Sequence, residues 1–174
     1  MIEREKHLHL LEITDAYEVI AGAPDAPVFL TCEHASDRLP AGWSWPEADR
    51  RLSGTHWAWD PGAAEITRAL AAALRAPAVL SRFTRLLADP NRPEDAETLF
   101  RAEADGAPVE LNRRIDEAER ARRLERFHRP YHAAIDRHLA AHRGGIVFSI
   151  HTFTPVYEGT RREVEVGVLF DTQE

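Results

Sequence analysis

Pro27-Val28-Phe29-Leu30-Thr31-Cys32-Glu33-His34-Ala35-Ser36 carries an apolar run straight into an acid and a histidine, then into a small polar turn. A run of this length, rich in branched and aromatic side chains, predicts a buried strand over about 28–32. The turn chemistry of Ala21-Gly22-Ala23-Pro24-Asp25-Ala26 precedes it. A second stretch has the same form: Ile146-Val147-Phe148-Ser149-Ile150-His151-Thr152. Two buried strands that each end in histidine would set both imidazoles at the carboxyl edge of one sheet, where α/β folds collect their ligands.

Working outward, His56-Trp57-Ala58-Trp59-Asp60-Pro61-Gly62 contains an N-cap signature: the Asp60 carboxylate can accept an orphan amide while Pro61 occupies the first helical position. A helix over about 61–75 should follow, with Ile66, Leu70, Ala73 and Leu74 as its core-facing stripe. Pro77 stops it, and Ala78-Val79-Leu80 predicts another strand. A proline-bounded loop ends in Asp89-Pro90-Asn91-Arg92-Pro93, and a short helix is expected around 96–102. Residues 109–142 are predicted helical, with Leu111, Ile115, Ala118, Leu124, Phe127, Tyr131, Ile135 and Leu139 on the buried face. Pro130 must kink or split this helix, because it lacks the amide that would bond back one turn. Gly144-Gly145 ends it, and residues 164–170 alternate as a last strand. The first 20 residues suggest only a short surface strand or helix. The order of elements predicts one α/β domain over residues 1–174, in three layers, with a mixed, mostly parallel sheet and helices on both faces.

The chain has 174 residues, 44% of them hydrophobic and 29% charged, enough for one real core. Its net charge of −7 argues against a nucleic-acid surface. The single cysteine, Cys32, cannot form an internal disulfide, and no apolar run approaches the ~20 residues needed to span a bilayer. The amino-terminal segment lacks the apolar core of an export signal, so a soluble cytoplasmic protein is expected.

His34 and His151 with one carboxylate would make a three-ligand site with an open position, the arrangement of a hydrolytic zinc. The third ligand could be Glu33 or Asp60. Glu33 follows the strand next to His34, and neighbouring strand residues point to opposite faces. Asp60 could face the sheet edge or simply cap its helix. Asp89, Asn91 and Arg92 form a second cluster, in which a guanidinium and an amide could clamp a substrate carboxylate, and Arg161-Arg162 offers another cation. His128 and His132 share one helical face and are expected as a core or surface polar pair rather than as ligands. Serine hydrolase chemistry has no support, since no Gly-x-Ser-x-Gly elbow is present. Cys32 lies inside the predicted strand, a poor place for a nucleophile.

Taken together, Thr31-Cys32-Glu33-His34-Ala35-Ser36-Asp37-Arg38-Leu39-Pro40, His56-Trp57-Ala58-Trp59-Asp60-Pro61-Gly62-Ala63, residues 81–93, residues 128–132 and Ser149-Ile150-His151-Thr152-Phe153-Thr154-Pro155 resemble the N-formylglutamate amidohydrolase family in order and spacing. That resemblance implies a zinc carboxypeptidase-like (zinc-exopeptidase/phosphorylase-hydrolase-like) fold and hydrolysis of N-formylglutamate, a small molecule carrying carboxylates, to formate and glutamate. It implies Zn2+ held by His34, Asp60 and His151 and carboxylate binding by Asn91 and Arg92; Arg162 is a further candidate for a substrate carboxylate, and Glu33 is left to orient a ligand or to pack against an arginine. It also implies a catalytic glutamate beyond the strand expected at 166–170. The sequence stops at Glu174 without it, which leaves either a longer chain or a catalytically impaired binding protein of the same fold. Glu158 or Glu165 could substitute, but neither matches the family pattern.

Overall fold

A computed structural model of the chain describes residues 9–143, 145–157 and 159–170. Strands β1 (Leu10–Ile13) and β2 (Tyr17–Ile20) pair antiparallel, and β3 (Val28–Cys32), helix α1 (Ala63–Leu74) and β4 (Ala78–Ser81) follow. A two-stranded ribbon, β5 (Glu103–Ala104) with β6 (Ala107–Pro108), precedes helices α2 (Glu117–Arg123) and α3 (Arg129–Ala140). Strand β7 (Ile146–Ser149) and a second small ribbon, β8 (Val156–Tyr157) with β9 (Thr160–Arg161), complete the described elements. The main sheet runs β1-β2-β4-β3-β7. β3 is parallel to both β4 and β7, whereas β2 is antiparallel to β1 and β4.

Strand alternation explains the layers. Val28, Leu30 and Cys32 of β3 join Ala78 and Leu80 of β4 on one face, against Ala63, Ala64 and Ala71 of α1. Phe29, Val79, Tyr17 and Val19 point the other way, against Phe127, Tyr131 and Ala134. With a helix on each face, this is an α/β fold built on a mixed sheet, and the three parallel strands end at one edge.

Several expectations are corrected. The buried side of α1 is Ala63, Ala64, Thr67 and Ala71, while Ile66 is 44% exposed and Leu74 40% exposed. Small side chains bring the helix close to the sheet, and the Thr67 hydroxyl is satisfied by donating to the Ala63 carbonyl at 2.8 Å. Gly62, at φ +86°, occupies the N-cap position, so Asp60 does not cap α1. Residues 109–116 are not α-helical: Glu110–Asn112 is a 3₁₀ turn, and the helix starts where the Asp116 carboxylate accepts from the Glu119 amide at 2.8 Å. The segment expected at 96–102 is a single 3₁₀ turn, Glu97–Leu99. Pro130 is accommodated by a π-helical turn, Leu124–His128, placed immediately before α3.

The amino-terminal segment contributes more than surface cover, because β2 is buried inside the sheet. Gly22 lets the chain return toward α1: a Cβ there would meet the Pro77 nitrogen at 2.0 Å. β7, predicted buried, is an edge strand whose Ile146, Val147 and Phe148 are 39–54% exposed. Residues 164–170 form no strand and are exposed throughout. Among the described residues, no helix is long and apolar enough to cross a membrane.

A candidate metal centre at the edge of the parallel strands

The carboxyl ends of β3 and β7 deliver the two strand-end histidines. β3 finishes at Cys32, and the chain turns through Glu33 and His34. The Asp60 amide donates to the His34 carbonyl at 3.0 Å, which docks the loop before α1 against that turn. The Thr152 hydroxyl donates to the Pro61 carbonyl at 2.8 Å, bringing the turn after β7 to the same loop. Three segments distant in sequence therefore meet at one edge.

His34, Asp60 and His151 each offer one ligand atom, all within 4.8 Å of one another. The Nδ1 of His34 lies 3.3 Å from Asp60 Oδ2, and the Nδ1 of His151 lies 2.8 Å from the same oxygen. Each imidazole is engaged on its far side as well. His34 Nε2 is 2.7 Å from Asp89 Oδ1, and His151 Nε2 is 3.0 Å from Ser149 Oγ and 3.3 Å from Glu33 Oε2. Two imidazole nitrogens and one carboxylate oxygen, with carboxylates behind the rings, fit the donor set and supporting contacts of a zinc site. Asp60 and Asp89 are bridged by Arg85, at 3.4 Å and 3.0 Å.

Glu33 takes another position. Its Oε1 accepts from the buried Tyr131 hydroxyl at 3.1 Å, and its Oε2 accepts from Ser149. Burial raises the Glu33 carboxyl, but hydrogen bonds from His151, Ser149 and Thr31 outweigh it and leave the group at about 2. Burial likewise opposes ionisation of Asp89, and His34, Arg85 and the Asn91 amide bring it to about 2. Asp60 is held well below the usual carboxylate range by His151 and His34, against its own burial. His151 is pulled down by burial and raised more strongly by Asp60 and Glu33, to about 9. Cys32 is fully buried and pushed up to about 12, mainly by burial, which removes it as a nucleophile.

Asn91 and Arg92 sit exposed on the loop that follows Asp89, beside a cleft of about 330 Å³ that also reaches Glu33, His128 and His132. The Arg162 guanidinium lies 5.1 Å over the Phe153 ring. Glu158 lies outside the described residues, and Glu165 is exposed.

Three participants escaped the sequence reading. Asp89 was grouped with Asn91 and Arg92, yet its carboxylate backs His34, a contact across 55 residues that local pattern does not record. Arg85 carried no signal beyond its spacing of four from Asp89. Ser149 was legible in principle, since it stands two residues before His151 at the end of a strand, where alternate residues share a side.

Comparison with known families decides the kinship. The N-formylglutamate amidohydrolase family matches over residues 26–174. The chain belongs to this family. A gene product of Agrobacterium tumefaciens with a known crystal structure is 35% identical and superposes with a TM-score of 0.79, covering 92% of this chain and 65% of its own. The chain thus spans about two thirds of the length of that relative. The N-formylglutamate amidohydrolase of Ralstonia eutropha JMP134 is 21% identical, with a TM-score of 0.47, covering 73% of this chain and 51% of its own. No curated protein matches the chain. The segments carrying His34, Asp60, Asp89 and His151 converge on the one edge described above.

Proposed function

We propose that the protein is a zinc-dependent amidohydrolase that cleaves a small N-acyl amino acid, in the first instance N-formylglutamate to formate and glutamate. The observation that carries this reading is the convergence of His34 Nδ1 and His151 Nδ1 on Asp60 Oδ2, each ring turned so that its Nε2 meets a carboxylate. A bound zinc would supply Lewis acidity toward the amide carbonyl and toward water. The chain's own residues then divide the remaining work. Asp89 holds His34, while Ser149 and Glu33 hold His151, which would leave Nδ1 of both rings to hold the ion. Asn91 and Arg92, which line the neighbouring cleft, would bind a substrate carboxylate through paired N–H donors. Glu33 is ill-suited as a general base, because both of its oxygens accept hydrogen bonds and its carboxyl is held at about 2.

The Glu33 observation keeps a second reading in play, a binding protein with the same site and no base for proton transfer. The test is to load the full chain with zinc, add N-formylglutamate and follow formate. Turnover abolished by His34→Ala supports the enzyme. Binding of N-formylglutamate without formate release supports the binding protein, and protein that takes up no zinc refutes both.

A further inference from the structure

We infer that His128 and His132 are positioning residues: two imidazoles that grip the backbone of residues 90–92 and so place Asn91, Arg92 and Asp89 together. This deepens the proposed function and rests on it only for what Asn91 and Arg92 bind.

His128 Nε2 is 2.8 Å from the Arg92 carbonyl oxygen, and His132 Nε2 is 3.0 Å from that of Pro90. A carbonyl can only accept, so in both rings Nε2 carries the hydrogen. The rings stand one helical turn apart with centroids 4.5 Å from each other, and together they straddle Asn91. His128 is buried, and its Nδ1 has no hydrogen-bond partner. Among the described residues its one side-chain hydrogen bond is therefore the one to the loop, with the Glu94 carboxylate 4.0 Å from Nδ1. Burial, aided by the neighbouring His128, lowers His132, which favours the neutral ring that a carbonyl contact requires.

The grip reaches the metal centre through one short step of chain. The Asn91 amide donates to Asp89 Oδ1 at 2.9 Å, the same oxygen that meets His34 Nε2, and the Arg92 amide donates to the Asp89 carbonyl at 3.1 Å. Fixing the carbonyls at 90 and 92 fixes the peptide between them, and with it the direction of the Asn91 and Arg92 side chains into the cleft. Hydrogen bonds from one helix face thus order both the substrate side and the histidine side of the site. The π-helical turn ends at His128, and Pro130 follows at the start of α3, so the local backbone that aims His128 is set by an unusual turn rather than by regular helix.

The test uses the full chain with four substitutions: H128L and H132L, which remove the donor, and H128Q and H132Q, which keep an N–H at a similar reach. Long-range proton–nitrogen NMR of the unsubstituted protein should find Nε2–H in both rings, and a ring protonated at Nδ1 alone would overturn the inference. Amide exchange at Asn91 and Arg92 should rise by about 5–30-fold in the leucine variants, the loss expected for one or two hydrogen bonds, and should return toward the parent in the glutamine variants. In zinc-loaded protein, affinity for glutarate should fall in step with that exchange while zinc content holds. Leucine variants that exchange and bind like the parent, or glutamine variants no better than leucine, would refute the inference. Failure to bind zinc or glutarate in the unsubstituted protein would instead refute the functional reading, with ring tautomers and amide exchange still testing the grip.

Discussion

Raising the pH from about 6.5 to about 8.5 should tighten zinc binding, because the ion and a proton compete for His151. The imidazole is raised to about 9 by Asp60 and Glu33, so near neutral pH it carries a proton that a metal ion must displace. Two pH units separate 7 from 9, a penalty of about 2.7 kcal/mol if the whole shift applies. The His151 side chain is 32% exposed, and solvent screening trims this to about 1–2 kcal/mol, or about 5–30-fold in affinity. The penalty shrinks as the proton leaves, so affinity climbs toward pH 9 and then levels. The metal-free protein should move oppositely. A histidine raised in the folded state adds stability that is complete below its ordinary value of 6.5 and is lost as the pH passes through about 9. Competition against a chromophoric chelator at constant ionic strength measures the affinity, and calorimetry in two buffers of different ionisation enthalpy counts the protons released. Equal affinity at both pH values, with no proton release, would refute the assignment of His151 to the ion.

Asp89→Ala should weaken zinc binding about 10–100-fold in the same competition assay, since it removes the carboxylate behind His34, and unchanged affinity would contradict that role. Tyr131→Phe removes a buried donor to Glu33 and should cost about 1–3 kcal/mol in urea unfolding. Ala71→Leu should overfill the contact between α1 and the sheet, at about 1–3 kcal/mol in thermal unfolding. Ile66→Ala, on the exposed side of the same helix, should change stability by no more than about 0.5 kcal/mol.

β3, α1 and β4 were legible because each pairs a simple period with an unambiguous stop, such as Pro77 after α1. The buried face of α1 was misread for a physical reason: close packing on the sheet selects alanine and threonine, which a search for large apolar residues passes over. β7 and residues 164–170 have strand-like composition, yet burial is a tertiary property, and composition cannot say whether a covering layer exists. In the site, strand ends located His34 and His151, while residue chemistry left Glu33 and Asp60 open as the third group. Family resemblance favoured Asp60, and the geometry explains why the two acids part: the chain turns after Cys32, so that Glu33 meets Tyr131 and Ser149 while His34 meets Asp60 and Asp89. Asp89 stayed hidden behind His34 because no local pattern encodes an interaction between two loops.

The π-helical turn at Leu124–His128 also sets a phase relation between the two halves of the helical arm. A wide turn already accommodates one residue more than regular helix would, so adding a further residue there would rotate α2 by about 100° about its axis relative to α3. The rotation would swing the buried Arg123 away from the carbonyls of Leu87 and Leu111 and from the Asn112 side chain, while His128 and His132 kept their places. The arm therefore tolerates exchange of side chains far better than an added residue at that turn.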